Sequence, residues 1–209
     1  MKKPIETEIK LRVEGAGKTG VAKARVLLRR HGFAITTPRV FEQNLVLDDA
    51  QGSLRERGLL LRVRGAGKLI TCTFKGVETP GRHKSREERE FRANDLESCV
   101  AVFTALGYPE AFRYEKYRTE FARENEPGHV TLDETPIGVF MELEGPARWI
   151  DHTAKDLGFP VTAYITDSYG KLYENWCEAN GVEPKDMRFS PNRDMRLPAA
   201  SRSRPNKRG

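Results

Sequence analysis

The chain has 209 residues, 38% hydrophobic and 32% charged, with a formal net charge of +6; that length supports one domain with a sizeable core, or at most two. Residues 185–209 carry Lys185, Arg188, Arg193, Arg196, Arg202, Arg204, Lys207 and Arg208 against Asp186 and Asp194, so they hold the whole net charge, and residues 1–184 balance at 28 basic and 28 acidic groups. Cys72, Cys99 and Cys177 lack CxxC spacing, which argues against a zinc site or a disulfide framework. No apolar leader and no apolar run approaching roughly 18 residues is present, which argues against a signal peptide or a membrane span. These features predict a cytoplasmic protein with small buried thiols.

In chain order, residues 5–13 alternate strictly: Ile5, Thr7, Ile9, Leu11 and Val13 on one face, Glu6, Glu8, Lys10 and Arg12 on the other. Period two predicts a strand. Residues 18–31 suit an amphipathic helix closed by Gly32, and 39–48 a second strand. Residues 58–64 and 69–75 flank Gly65-Ala66-Gly67-Lys68 as a hairpin, and 76–85, with Pro80-Gly81, read as a flexible loop. A very charged strand follows at 86–92, then a helix at 94–107 behind an Asn94 cap. Strands are predicted at 113–123, 128–134 and 138–144, and helices at 147–158 and 167–180. Beyond 184 the chain is rich in Pro, Ser and Arg without periodicity, which predicts a disordered basic tail over 185–209 after a domain over 1–184.

The strands share one feature: apolar residues alternate with charged ones, as in Leu61-Arg62-Val63-Arg64 or Val139 to Glu144. Pattern alone leaves two arrangements open. One is a single-layer sheet with its charged face in water. The other is a sheet closed on itself with the charges inside. Two details favour closure. About eight strands make a wide sheet that tends to curl. The charges also run in same-sign pairs two residues apart: Glu6/Glu8, Glu88/Glu90, Glu142/Glu144, Arg62/Arg64, Lys116/Arg118. Like charges on one strand face repel unless a counter-ion lies between them. Carboxylate pairs suit Mg²⁺ or Mn²⁺, and Lys/Arg pairs suit phosphate oxygens. Both in one lumen imply a metal-chelated polyanion such as a triphosphate.

Glu6-x-Glu8-x-Lys10 resembles the ExExK signature of the CYTH superfamily, the triphosphate tunnel metalloenzymes. The resemblance continues in order through Leu61-Arg62-Val63-Arg64, Thr73-Phe74-Lys75-Gly76, Arg86-x-Glu88-x-Glu90, Lys116-x-Arg118, Asp133, Gly138-x-Phe140-x-Glu142-x-Glu144 and Ser168-Tyr169. It implies an α+β fold: an eight-stranded antiparallel closed β-barrel, or tunnel, with helices packed outside. It implies a divalent-metal-dependent enzyme acting on triphosphates. Carried over, Glu6, Glu8, Asp133, Glu142 and Glu144 hold Mg²⁺ or Mn²⁺. Lys10, Arg62, Arg64, Lys75, Arg86, Lys116 and Arg118 bind the substrate, and Glu88, Glu90 and Lys75 serve catalysis. One position departs from the family: Val46 stands two residues before Asp48, where many members carry a Tyr that pairs with a strand Lys as the base of thiamine triphosphatases.

The expected reaction is hydrolysis of an inorganic or nucleoside triphosphate. The alternative within the family is a class IV adenylyl cyclase, making cyclic AMP and pyrophosphate from ATP. Outside it, the alternative is a non-catalytic module binding polyphosphate or nucleic acid. Small triphosphates are the expected partners, without a membrane. Nucleic acid is expected to bind weakly at most, through the tail, and a homodimer is left open. His31, His83, His129 and His152 are scattered and read as surface or packing residues, with a minor role in recruiting anions for His83.

Overall fold

A computed structural model describes residues 4–15 and 17–190. Among them the chain forms β1 (Ile5–Arg12), α1 (Gly17–Arg30), β2 (Ala34–Leu47), α2 (Ser53–Glu56), β3 (Leu60–Ala66), β4 (Leu69–Lys75), β5 (Lys84–Ala93), α3 (Leu96–Ala105), β6 (Glu110–Ala122), β7 (His129–Thr135), β8 (Gly138–Glu144), α4 (Ala147–Asp156), a 3₁₀ turn (Val161–Ala163) and α5 (Tyr169–Asn180). The eight strands close into a barrel in the order β1-β5-β4-β3-β2-β6-β7-β8. Every neighbouring pair is antiparallel. The last seam runs from Glu8 opposite Glu144 to Arg12 opposite Phe140 and returns the sheet to β1. Closure removes both sheet edges, and the open single-layer sheet is ruled out.

The barrel is turned inside out relative to an apolar-cored one. Ile9 and Leu11 of β1 join Val130, Leu132, Val139, Met141 and Leu143 in a layer covered by Leu28 of α1 and Ile150 of α4. Leu45, Leu47, Val63 and Cys72 form a second layer, under Leu96, Val100 and Phe103 of α3. Period two then sends the alternate residues of each strand into the lumen. A third cluster closes one end: Tyr169, Leu172, Tyr173 and Cys177 of α5 pack on Tyr114, Phe140, Phe112 and Val46. A Cβ on Gly128 would lie 2.4 Å from the Trp149 ring. Only a residue without a side chain lets that indole seat α4 against the barrel.

Several boundaries differ from the sequence reading, each for a local reason. β2 begins five residues before the predicted Arg39, because register shifts between Ile35 and Thr37 and between Thr37 and Val40 absorb Pro38. Asp95, not Asn94, caps α3; its carboxylate accepts the Ser98 amide at 2.6 Å. Short α2, absent from the prediction, starts where Asp48 accepts the amides of Leu54 and Arg55 at 2.9 and 3.0 Å. The stretch read as a flexible loop ends early, with β5 starting at Lys84. Residues 185–190, placed in the tail by their composition, lie along β6: Met187 is fully buried and exchanges backbone hydrogen bonds with Arg113 and Glu115, each at 2.9 Å. The remainder of the predicted tail, 191–209, lies outside the described residues.

Candidate functional site

The inward residues enclose a cavity of about 280 Å³ inside the barrel. Its wall includes Glu6, Glu8 and Lys10 of β1, Arg62 and Arg64 of β3, Lys75 of β4, and Lys84, Arg86, Glu88 and Glu90 of β5. It is completed by Lys116, Arg118 and Glu120 of β6, His129 of β7, Glu142 and Glu144 of β8, and Ser168 and Tyr169 at the start of α5. Apart from Asp133, every residue singled out for metal, substrate or catalysis lines this one space.

The same-sign pairs find their counter-charges across strands. Lys10 Nζ lies between Glu8 (3.1 Å) and Glu142 (3.3 Å). Lys75 Nζ pairs with Glu6 and with Glu88, the latter at 2.9 Å. Arg118 bridges Glu142 and Asp133, and Arg64 lies 3.7 Å from Glu90. Arg62 donates to the Tyr114 hydroxyl at 3.4 Å and to the Thr73 hydroxyl at 3.3 Å. Such pairs are costly to bury and tolerable only when each charge is answered.

Asp133 is on the inward face of β7, opposite Arg118, but does not line the cavity. It is fully buried beneath lumen side chains, and its two oxygens accept from Lys116 at 2.8 Å, Arg118 at 2.8 and 2.6 Å, and the Tyr169 hydroxyl at 2.8 Å. Both Asp133 oxygens are thus taken up by Lys116, Arg118 and Tyr169. Glu42, unremarked in the sequence, does related work from β2. It lies 3.7 Å from Lys116 and 3.9 Å from Arg64. Burial opposes its ionisation, but Lys116, Arg118, Arg64 and Arg62 overcome this and draw its pKa down to about 2. His129, read as a packing or surface residue, lines the cavity 3.5 Å from Glu144. His83 is turned away, onto Asp151 at 2.8 Å.

The acidic wall divides by charge state. Burial works against Glu6, yet its hydrogen bond with Glu88 and the charge of Lys75 bring its pKa to about 2. Glu8 and Glu142 are also held below the ordinary value; burial is outweighed by Lys10 for Glu8, and by Arg118, Lys116 and Lys10 for Glu142. Glu144 goes the other way: burial, then the charges of Glu6, Glu8 and Glu142, push it to about 7. Glu88 rises to about 8 through burial and its hydrogen bond with Glu6. Crowding of carboxylates is therefore local, around Glu88 and Glu144. Glu6, Glu8, Glu142 and Glu144 together offer the hard oxygen ligands that a divalent cation takes. Among the described residues no three acidic, imidazole or thiol groups already converge on one point; the carboxylates are turned onto the lumen lysines and arginines instead.

With eight strands around a charged lumen, the comparison with known proteins is direct. The CYTH domain model matches residues 4–156. The chain belongs to the CYTH domain family. No curated protein matches the chain. Among solved structures, a Vibrio parahaemolyticus protein provisionally called an adenylate cyclase superposes with a TM-score of 0.70 at 18% identity, covering 83% of this chain and 99% of that one. PH1012 of Pyrococcus horikoshii OT3 gives 0.65 at 20% identity, over 78% and 96% of the two chains. HpAC1 of Hippeastrum, provisionally an adenylyl cyclase and described as having a dominant triphosphatase activity, gives 0.55 at 16%, over 86% and 97%. At these identities the likeness is one of fold. Among the described residues of this CYTH protein, no helix is long and apolar enough to cross a membrane.

Proposed function

We propose that this CYTH protein is a divalent-metal-dependent triphosphatase whose substrate is inorganic triphosphate or a closely related short polyphosphate. The observation that carries this reading is the lining of the cavity. Lys10, Arg62, Arg64, Lys75, Lys84, Arg86, Lys116 and Arg118 all face a space of about 280 Å³, in which Leu60, Tyr114 and Tyr169 supply the main apolar surface. That surface suits a chain of phosphates better than a nucleobase, which calls for a broad apolar slot with a few polar groups.

Glu6, Glu8, Glu142 and Glu144 would hold the cation. When bound it would neutralise phosphate oxygens and polarise the phosphoryl group. The protein's own residues do the rest. Lys10 and Lys75, each paired with two of the carboxylates, would meet the substrate beside the cation, and Arg62, Arg64, Lys116 and Arg118 would grip its phosphates. Asp133 and Glu42 keep Lys116 and its neighbours preorganised, so little reorganisation is needed as charge moves to the leaving oxygen. Glu88, with a pKa of about 8, is a strong proton acceptor when ionised and takes the proton of the attacking water.

The second reading is adenylyl cyclase, with the Tyr114 and Tyr169 rings, both on the cavity wall, as the surface a base would meet; the provisional name of the Vibrio neighbour points the same way. Incubation with inorganic triphosphate or ATP, in Mg²⁺ or Mn²⁺, separates the two. Phosphate release from inorganic triphosphate is expected, lost in Glu6→Gln. Cyclic AMP with pyrophosphate from ATP would establish the cyclase instead. Absence of any product would leave a binding module.

A further inference from the structure

Two of the lumen cations are held by a carboxylate that does not belong to the barrel wall. Lys84 and Arg86 occupy alternate inward positions at the start of β5 and line the cavity. The Lys84 side chain is 2% exposed, and its ammonium donates to the Thr166 carbonyl at 3.1 Å. Glu78, in the connection between β4 and β5, reaches in from a position where its side chain is 43% exposed. Its Oε1 lies 2.7 Å from Lys84 Nζ and 3.5 Å from Arg86 Nη1. Arg86 keeps a buried Nε without a hydrogen-bond partner. Burial, and then the charges of Lys10 and Arg86, disfavour the protonated form of Lys84. This corner of the lumen is therefore short of negative charge, and Glu78 supplies it from outside.

The connection is attached at both ends of this contact. Gly76 and Thr79 donate backbone hydrogen bonds to Glu87 and Ser85 at 2.8 and 2.7 Å. Arg82 and His83 hold Asp151 of α4 at 2.5 and 2.8 Å. Glu78 lies between the Gly76 and Thr79 anchors, so its side chain can swing out without breaking either backbone hydrogen bond.

We propose that Lys84 and Arg86 form a phosphate subsite, and that Glu78 is a resident carboxylate which fills it until a phosphate of the substrate takes its place. The proposal rests on the triphosphate reading above. A phosphate offers more charge and more acceptor oxygens than one carboxylate, to two donors already aimed at an anion. Displacing Glu78 reduces apparent affinity, because the competent form is the one with Glu78 withdrawn. It also removes one of the ties that hold residues 77–83.

The test is calorimetric titration of the full chain with tripolyphosphate in chelator, alongside amide exchange. Wild type is expected to bind, with exchange in residues 77–83 rising on binding. Glu78→Gln is expected to bind about tenfold more tightly, and Lys84→Gln more weakly than wild type. If Glu78 only orders the connection, Glu78→Gln will speed exchange there without tightening binding, which would overturn the proposal while the triphosphate reading stands. If wild type binds no tripolyphosphate either in chelator or with Mg²⁺, the triphosphate reading fails and the subsite fails with it; binding with Mg²⁺ that Glu78→Gln leaves unchanged overturns the subsite alone.

Discussion

Glu42 illustrates why individual residues of this site were unequally visible. The acidic residues of β1, β5 and β8 come in pairs two apart, and that repetition marks a shared inward face. Glu42 has Val40 and Asn44 at the flanking inward positions, so nothing in its neighbourhood marks it out. Lys84 was hidden differently: it continues the phase of Arg86, Glu88 and Glu90, but Pro80-Gly81 makes the stretch before Arg86 read as loop. Asp133 was visible as an acidic residue, but its role depends on Lys116, Arg118 and Tyr169 converging from two other elements, which no local pattern encodes. Glu42 has a measurable signature. Its folded pKa of about 2 lies below the ordinary 4.5, so its contribution is fully present above pH 4.5 and is lost as pH falls through 2. That contribution is on the order of 3 kcal/mol. Glu42→Gln should therefore lower the unfolding midpoint most above pH 5. Its deficit against wild type should shrink in thermal melts between pH 5 and pH 3. A deficit constant with pH would mean that the four cations around Glu42 do not hold it ionised. Glu144 and Glu88, raised to about 7 and 8, work with the opposite sign and lose stability as pH climbs from 4.5.

At the level of elements, period-two alternation of apolar and charged residues located most of the strands, because each of those presents one apolar face to a helix layer and one charged face to the lumen; β5, polar on both faces, was marked by its run of charges instead. What alternation does not encode is which face is concave; that is decided by the seam between β1 and β8, a pairing of residues more than 120 positions apart. Composition misleads most at residues 185–190. Arg188, Pro191 and the arginines beyond them make the stretch look solvated, yet Met187 is fully buried and bridges to Tyr114, while Arg188 lies 3.0 Å from Glu115 and the Phe189 ring 5.3 Å from that of Tyr117. The segment pairs edge-on with β6 beside Tyr114, a lumen residue, and Met187 joins the cluster of Tyr114, Phe140 and Tyr169, which ties the end of the domain to the wall of the site. A chain ending at Pro184 should therefore be less stable than one ending at Ser190 by about 2–4 kcal/mol, the usual loss when a buried Met is removed. Urea unfolding of the two truncated chains measures the difference directly, and equal midpoints would show that the Met187 contact contributes nothing.

For the whole molecule, the inversion of the barrel links stability to ligand binding. The apolar layers under α1, α3 and α4 and the cluster around α5 must hold the fold against a lumen where carboxylates, lysines and arginines are withdrawn from water. Glu144 and Glu88, pushed out of the usual carboxylate range, record the strain of that packing on the acidic side. On the basic side, Glu78 has to be borrowed from outside the barrel to answer Lys84 and Arg86. A polyphosphate bound in the lumen, as proposed, would relieve the basic side of the folded chain and have no counterpart in the unfolded one. Tripolyphosphate at one hundred times its dissociation constant should then add about 2.7 kcal/mol. For a domain of this size that is a rise of roughly 5–10 °C in the melting midpoint. Sulfate at equal ionic strength should give much less, since a single anion cannot span cations contributed by β1, β3, β4, β5 and β6. The effect should also persist at moderate salt, because these charges lie inside the wall and are screened less than surface ones. Equal shifts from sulfate and tripolyphosphate would show that the lumen answers to ionic strength alone, and that the alignment of its cations selects no chain of phosphates.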